Sequence, residues 1–353
     1  MNSSQWIVYR AGKISLRMDR RIPRTVAGLI LAALIILVLH VGIGEYTIAP
    51  MDVLRTILGQ QLGDQNFHFV VMELRMPRAL VAWLVGAALG ASGALIQGLT
   101  RNPLASPDLT GVTAGASAAA VTLIIFLPQT PDFWLPIAAF CGGLLIAAML
   151  YLFAWRAAFS GGGDSPVRLI LVGIGLWAAL GAFTSFALTF GELWYVQRAM
   201  MWLTGSVYAT DWVDVNLILP WLIVCLLLAV YGARDLNALN LGEDIAQGLG
   251  LRLTFKRGFL LVLSVALAAI TVTVAGIIGF VGLIAPHIAR RLVGTMHEGL
   301  VPTAAFVGGF IVVLADFIGR TILQPTEIPC GIITSIVGVP FFLYLLWKRE
   351  KIS

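Results

Sequence analysis

Hydrophobic residues along this chain gather into long apolar segments separated by short polar stretches. A helix needs about 20 mostly apolar residues to cross the hydrocarbon core of a bilayer. The pattern predicts ten membrane helices, with the seventh and eighth joined by a tight hairpin around Gly276. The segments are Thr25–Gly44, 76–99, 112–127, 133–155, 167–190, 215–232, 258–277, 279–293, 301–320 and 331–347.

Three of the polar stretches are long enough to hold structure of their own. Residues 46–74 have room for a short surface helix, and residues 191–214 carry aromatic side chains of the kind that favour a membrane interface. We expect an interfacial or re-entrant helix in the second stretch. The third, Arg234–Arg257, has mixed charge and three glycines, which predicts two short helices joined by a sharp turn.

Basic residues fix the orientation of these helices. In the ten-helix scheme, 18 of the 23 Lys and Arg residues fall on one side, and basic residues that flank spans are retained in the cytoplasm. Hydrophobic residues make up 59% of the chain and charged residues 12%, with a mean hydropathy of +0.92, which excludes a soluble globule. The sequence therefore predicts an all-α, multi-pass protein of the cytoplasmic (inner) membrane with both termini in the cytoplasm. The net charge of +5 is mostly orientation signal and does not indicate nucleic-acid binding.

The domain organisation is simple. Residues 1–24 form a basic cytoplasmic segment with no cleavage site after the first apolar run, and residues 25–353 form a single membrane domain. The blocks 76–190 and 258–347 contain four predicted helices each and start on opposite sides of the membrane. Opposed blocks of this kind suggest an inverted repeat, a common construction in transporters.

A stripe of small residues marks the second predicted helix. Gly86, Gly90, Ala94 and Gly98 recur every four residues, so they share one helix face. Small residues allow a neighbouring helix to approach closely, and we interpret the stripe as a packing surface.

Chemical motifs are scarce. The chain has no phosphate-binding loop, no His-Glu-x-x-His, no nucleophile elbow and no paired-cysteine motif. Cys141, Cys225 and Cys330 are isolated and are expected to be small buried residues rather than metal ligands. The predicted spans are almost free of carboxylates, which disfavours an ion-gradient carrier. We predict that the chain is not an enzyme and holds no metal or cofactor. We also predict that the energy source for transport lies on another polypeptide.

Two groups of residues are candidates for partner contacts. Arg75, Arg78 and Arg320 lie at the predicted outer mouth, either to bind carboxylates of a docking partner or as snorkelling arginines with an Asp316–Arg320 pair at i, i+4. On the inner side, the loop around Glu243 combines acidic and apolar residues, as a partner surface or as an ordinary connector.

Several motifs together resemble one family. The chain after residue 25 is similar to the permease subunits of iron-siderophore, haem and vitamin B12 ABC importers, the FecCD-type family. The resemblance is carried by Arg75-Met-Pro-Arg78, Gly86–Gly98, Asn102-Pro-Leu-Ala-Ser-Pro-Asp108, Leu239-Asn-Leu-Gly-Glu-Asp-Ile-Ala-Gln-Gly-Leu-Gly250, Gly279-Phe-Val-Gly-Leu-Ile-Ala-Pro-His-Ile-Ala-Arg-Arg291, Ala315–Arg320 and Glu327-Ile-Pro-Cys-Gly331.

The resemblance implies a set of partners. Two permease subunits pair, as a homodimer or a heterodimer, two cytoplasmic ATP-binding subunits dock below them, and an extracytoplasmic substrate-binding protein docks above. It implies that Arg75, Arg78 and Arg320 receive acidic residues of the binding protein. It also implies that the inner loop couples the permease to the ATPase. The coupling residues are Leu241, Gly242, Glu243, Asp244, Ala246, Gly248 and Gly250.

The resemblance also indicates a substrate. Asn102–Asp108 and Trp202-Leu-Thr-Gly-Ser206 look more like the ferric-siderophore or ferric-citrate members than the cobalamin members. We therefore expect an iron-chelate importer permease. Import of cobalamin or haem is the alternative within the class, and an ion-gradient-driven secondary transporter is the alternative outside it.

Overall fold

The computed structural model describes residues 6–11, 14–19, 21–44, 46–60, 65–131, 133–155 and 166–350, which are almost entirely helical. A small antiparallel hairpin of β1 (Trp6–Ala11) and β2 (Ile14–Asp19) precedes the helices, with Ala11 opposite Ile14. The helices are α1 (Arg21–Gly42), α2 (Pro50–Ile57), α3 (Gln65–His68), α4 (Met76–Thr100), α5 (Val112–Phe126), α6 (Trp134–Trp155), α7 (Pro166–Phe190), α8 (Leu193–Leu203), α9 (Trp212–Asn240), α10 (Glu243–Gly248), α11 (Leu253–Ala275), α12 (Val281–Val293), α13 (His297–Thr321) and α14 (Cys330–Glu350).

Each of the ten predicted apolar segments coincides with a helix, so this part of the prediction is confirmed. Within the described residues, seven helices are long and apolar enough to cross a membrane: α1, the α4 region, α7, α9, α11, α13 and α14. Helices α5 and α6 contain shorter apolar stretches, and α12 has 13 residues. The hairpin is the one non-helical element among the described residues, and the aromatic and β-branched run Trp6–Tyr9 suits a strand.

Helix α4 lies at the centre of the bundle, buried along nearly its whole length between α9, α11, α12 and α13. Its contact with α13 is antiparallel and very close. A Cβ atom at Gly86 would overlap the carbonyl oxygen of Gly308, and one at Gly90 would overlap that of Ala304. Ala94, on the same stripe, is fully buried. The two backbones therefore touch, a packing mode suited to lipid, where apolar burial alone gives helices little reason to associate.

The helix that contains Arg75 and Arg78 begins earlier than the predicted start at residue 76. The chain is helical from Gln65, passes through a π-helical stretch at Phe69–Arg75 and continues into α4. The Met76 amide donates to the Val71 carbonyl oxygen five residues back. The wider π-helical turn lies immediately before Pro77, which has no amide hydrogen to donate. The hydrogen-bonding pattern of the helix therefore changes at the point where proline would interrupt regular α-helical bonding.

The outer polar stretches contain the predicted helices. Helix α2 lies within residues 46–74, and α8 lies within residues 191–214.

Two smaller predictions are wrong. The inner loop holds one short helix, α10, rather than two, because α9 continues to Asn240 with Leu236 and Leu239 buried against the core. Cys141 is exposed on the surface of the chain, whereas Cys225 and Cys330 are buried as expected.

Candidate functional site

A cluster of charged residues lies where α1 and α13 end and α4 begins, which we call the outer end following the predicted topology. Asp316 of α13 is at its centre. The Arg78 guanidinium donates from Nε to Asp316 Oδ2 at 2.9 Å and from Nη2 to Oδ1 at 2.8 Å, and His40 Nε2 lies 2.8 Å from Oδ2. A bidentate arginine–carboxylate pair is strong and directional. We call this set the outer charge cluster; it consists of His40, Arg75, Arg78, Asp316, Arg320 and Glu327.

The other two arginines of the outer charge cluster close the end of α1. Arg320 Nη2 donates to the carbonyl oxygens of His40 and, at 2.7 Å, Ile43. Arg75 Nη1 donates to the Val41 carbonyl oxygen at 2.7 Å. The last carbonyl groups of a helix lack intrahelical donors and carry partial negative charge, so guanidinium groups stabilise them.

The structure brings the three predicted arginines together but turns them inward. All three are buried, so the snorkelling interpretation is wrong. The predicted ion pair between Asp316 and Arg320 is also wrong. The Asp316 carboxylate pairs instead with Arg78, which lies on another helix, 238 positions away in the chain. Their role in docking a partner stays a prediction.

Glu327 and Tyr208 form the rim of the outer charge cluster. Arg78 Nη1 donates to Glu327 Oε1 at 3.2 Å, Arg78 Nη2 lies 2.9 Å from Glu327 Oε2, and the Tyr208 ring centre lies 5.6 Å from the guanidinium carbon. Both line a cavity of about 440 Å³, together with Trp202, Ser206 and other residues. The sequence analysis did not place either as a site residue. The signals were present, since Glu327 belongs to a recognised motif and Tyr208 to the aromatic stretch 191–214.

A second cavity, of about 520 Å³, lies among α5, α7, α12 and α14. Its wall is mostly aromatic and apolar, with Asp108 as the acidic group. Burial raises the pKa of Asp108 to about 6, and the nearby Phe280 backbone amide lowers it by a smaller amount. Phe280 itself has a left-handed backbone with φ of 66°. Asp108 therefore lies in the same cavity wall as Phe280 and the loop between α11 and α12.

At the opposite, inner end lies an apolar row in and beside α10. Leu241 precedes the helix, Ile245 lies within it and Leu249 follows it; all three are exposed, whereas Ala246 is buried. Asp244 and Gly248 are exposed as well. Gly242 and Gly250 have φ of 122° and 84°, values that glycine adopts without steric cost, and so they set the turns on either side of α10.

Polar contacts fasten this segment to the bundle. Arg257 Nη2 of α11 donates to Glu243 Oε1 at 2.6 Å, and Lys256 Nζ lies 2.7 Å from Asp235 Oδ2. Helix α10 is therefore linked to α11, and α11 to the inner end of α9.

The inner ends of the central helices meet in a second group of polar residues. Arg290 Nη2 donates to Gln97 Oε1 at 2.9 Å, linking α12 to α4. Asn237 Oδ1 accepts from the His297 backbone amide at 3.0 Å and lies 2.8 Å from His297 Nδ1, while Asn237 Nδ2 donates to Glu298 Oε2 at 2.5 Å. We call these five residues the inner polar cluster. Sequence reasoning missed it because its members stand far apart in the chain.

The long apolar helices are those of a membrane protein, and comparison with known proteins gives its class and family. The chain belongs to the FecCD transport family, which it matches over residues 18–348. It is 41% identical over 322 residues to the Probable siderophore transport system permease protein YfhA of Bacillus subtilis (strain 168), covering 90% of this chain and 92% of that protein. It is 40% identical over 335 residues to the Fe(3+)-citrate import system permease protein YfmE of the same organism, covering 94% and 97%.

A solved structure supports the assignment. A metal-chelate type ABC transporter in an inward-facing conformation superposes with a TM-score of 0.82 at 30% identity, covering 92% of this chain and 99% of that chain. This chain is therefore a multi-pass permease subunit of an ABC transporter in the inner membrane. The predicted family, fold class and location are confirmed.

Proposed function

We propose that this permease carries a ferric siderophore or ferric citrate inward as part of an ATP-driven importer. The observation that carries the proposal is the similarity, over nearly the whole chain, to two permeases named for a siderophore and for Fe(3+)-citrate. Two of the motifs that carried the resemblance in the sequence lie at a cavity and at the outer charge cluster. Asn102–Asp108 ends at the 520 Å³ cavity, and Glu327 closes the outer charge cluster.

The energy source in this proposal is a separate pair of ATP-binding subunits below the inner end. The chain has no phosphate-binding loop, and the exposed row Leu241, Ile245 and Leu249, in and beside α10, offers apolar side chains to a groove. Because Glu243 is paired with Arg257, movement of α10 would be passed directly to α11. The full coupling set is Leu241, Gly242, Glu243, Asp244, Ala246, Gly248 and Gly250.

A second permease subunit and an extracytoplasmic binding protein complete the proposed assembly. Large apolar side chains of α7 and α14 are exposed, including Trp177, which lines the 520 Å³ cavity, and Ile336. A paired permease, either a copy of this chain or a paralogue, would cover part of that surface. The binding protein would deliver the chelate at the outer end, where Arg75, Arg78 and Arg320 lie.

The test is uptake by cells with and without this chain. Radiolabelled ferric catecholate and hydroxamate siderophores, ferric citrate, haem and cobalamin would each be offered with and without ATP depletion. We expect loss of one ATP-dependent iron uptake, restored by the intact gene. Loss of cobalamin or haem uptake alone would contradict the substrate, and uptake that resists ATP depletion but fails with an uncoupler would contradict the importer.

A further inference from the structure

Arg78 holds two carboxylates that differ greatly in accessibility. The side chain of Asp316 is 1% exposed and that of Arg78 is 10% exposed, whereas the side chain of Glu327 is 30% exposed. Of the two carboxylates on Arg78, Glu327 is therefore the one that solvent, and hence a partner, can reach, although its Oε2 atom is buried.

The two contacts also differ in quality. Asp316 occupies the Nε–Nη2 edge of Arg78 with two short, well-directed bonds and is held in place by His40 as well. Glu327 makes one longer hydrogen bond, at 3.2 Å from Nη1, and its other oxygen lies beside Nη2 without a hydrogen bond of its own. If the Asp316 carboxylate left Arg78, a buried charge would be left behind, whereas the Glu327 carboxylate could move into water. Glu327 is therefore the carboxylate that can be exchanged.

The other two arginines are placed differently. Arg75 and Arg320 donate to backbone carbonyl groups at the end of α1, and pulling either away would disturb that helix terminus. Arg78 is thus the arginine whose partner can be replaced by another carboxylate without changing the backbone.

Glu327 also belongs to the wall of the outer cavity. The segment between α13 and α14 contributes Pro325, Glu327, Ile328 and Pro329 to the lining of the 440 Å³ cavity. While Glu327 is paired with Arg78, this segment is tied to α4. When the pair is broken, the tie to α4 is lost, and the segment is then held by the Ile328 backbone amide, which donates to the Gly319 carbonyl oxygen of α13 at 2.9 Å.

We propose that Glu327 occupies Arg78 in place of a partner carboxylate, and that an acidic residue of the docking binding protein displaces it. The exchange replaces one carboxylate on the Nη1 side of Arg78 with another, while Asp316 stays bound to the Nε–Nη2 edge. Displacement separates the Pro325–Pro329 wall of the outer cavity from α4, which links docking to opening of the mouth. The proposal rests on the proposed docking role of Arg78.

The experiment compares docking to variants of the assembled importer in lipid nanodiscs. The probe is its substrate-binding protein loaded with the transported ferric chelate, without ATP. Glu327→Gln keeps the shape of the side chain but removes the competing charge. The dissociation constant of the loaded binding protein from this variant should therefore be about fivefold lower than from the unaltered importer. The matched control is Asp52→Asn, which removes a carboxylate from an exposed pair with Arg55 on the same side of the protein. It should change the dissociation constant less than about twofold.

A double variant separates this proposal from the one it rests on. Arg78→Gln with Asp316→Asn removes both buried charges together. If docking is unchanged in that variant, the docking role of Arg78 is wrong. If docking weakens there while Glu327→Gln has no effect or weakens docking, the docking role holds and the exchange is refuted.

A measurement on the unaltered protein gives an independent result. Hydrogen–deuterium exchange of residues 323–329 in the assembled importer should rise when the loaded binding protein docks. A fall in exchange there would mean that docking tightens the segment, and would overturn the proposal.

Discussion

The outer charge cluster and the inner polar cluster lie at opposite ends of the same pair of helices, α4 and α13, but they are built from different chemistry. At the outer end a buried carboxylate, Asp316, is held by Arg78 and His40. At the inner end the central side chains are neutral amides, Gln97 and Asn237, which bond to residues of α12 and α13. The outer end is thus joined by charges, and the inner end mainly by amide hydrogen bonds.

The difference suits the two ends to different signals. Breaking a buried ion pair leaves an uncompensated charge and costs about 3–5 kcal/mol, so such a pair is best altered by exchange for another charge. An ordinary hydrogen bond contributes about 1 kcal/mol, and one to a charged group such as Arg290 or Glu298 about 1.5–3 kcal/mol. Each of these bonds therefore costs less to break than the buried ion pair, and the set can rearrange under a modest mechanical load. We therefore expect the outer end to respond to a charged partner and the inner end to movement of α10.

Breaking the outer end should have the largest effect on stability. Asp316→Ala leaves Arg78 buried without its main counter-ion, and we expect the free energy of unfolding to fall by about 3–5 kcal/mol. Reversible unfolding of the purified permease in mixed micelles would measure it. Adding Arg78→Gln should recover part of the loss, because the stranded charge is then removed. A loss below about 1 kcal/mol would show that the pair is not essential to the outer end.

Disrupting the close packing of α4 on α13, which connects the two ends, should have the next largest effect on stability. Gly90→Ala places a methyl group against the Ala304 backbone of α13, so the helices must separate, at a cost of about 1–3 kcal/mol. Gly175→Ala is the matched control, since a Cβ atom at that α7 position meets nothing within 4 Å. The same unfolding measurement should find the control neutral or stabilised. Equal losses in both variants would mean that the close approach does not hold the ends together.

Breaking the inner end should cost less. Asn237→Ala removes the bonds to the His297 backbone amide, the His297 ring and Glu298, and leaves no buried charge. We expect a loss of about 1–2 kcal/mol, clearly smaller than that of Asp316→Ala in the same assay. If the two variants are equally destabilised, the proposed contrast between the ends is wrong.

Local patterns in the sequence account for much of this molecule, but not for the two clusters. The apolar segments and the stripe Gly86, Gly90, Ala94 and Gly98 can be read off because one helix determines each of them. The Arg78–Asp316 pair cannot, because its partners are 238 positions apart and meet only through the antiparallel register of α4 and α13. The Asp316–Arg320 prediction failed for the same reason, since spacing on one helix says nothing about a better partner on another.

Disrupting the apolar row of α10 should have the smallest effect on stability and a large effect on coupling. Ile245→Glu changes an exposed side chain, so the free energy of unfolding should move by less than about 0.5 kcal/mol. Leu58→Glu makes the same kind of change at an exposed position after α2, and it serves as the control. In the assembled importer, ATP hydrolysis stimulated by the loaded binding protein should fall at least about tenfold in Ile245→Glu and remain normal in Leu58→Glu, since a buried carboxylate opposes docking of an apolar face. Normal stimulation in both variants would place the ATPase contact elsewhere on the inner end. The expectation that the inner end responds to movement of α10 would then be wrong.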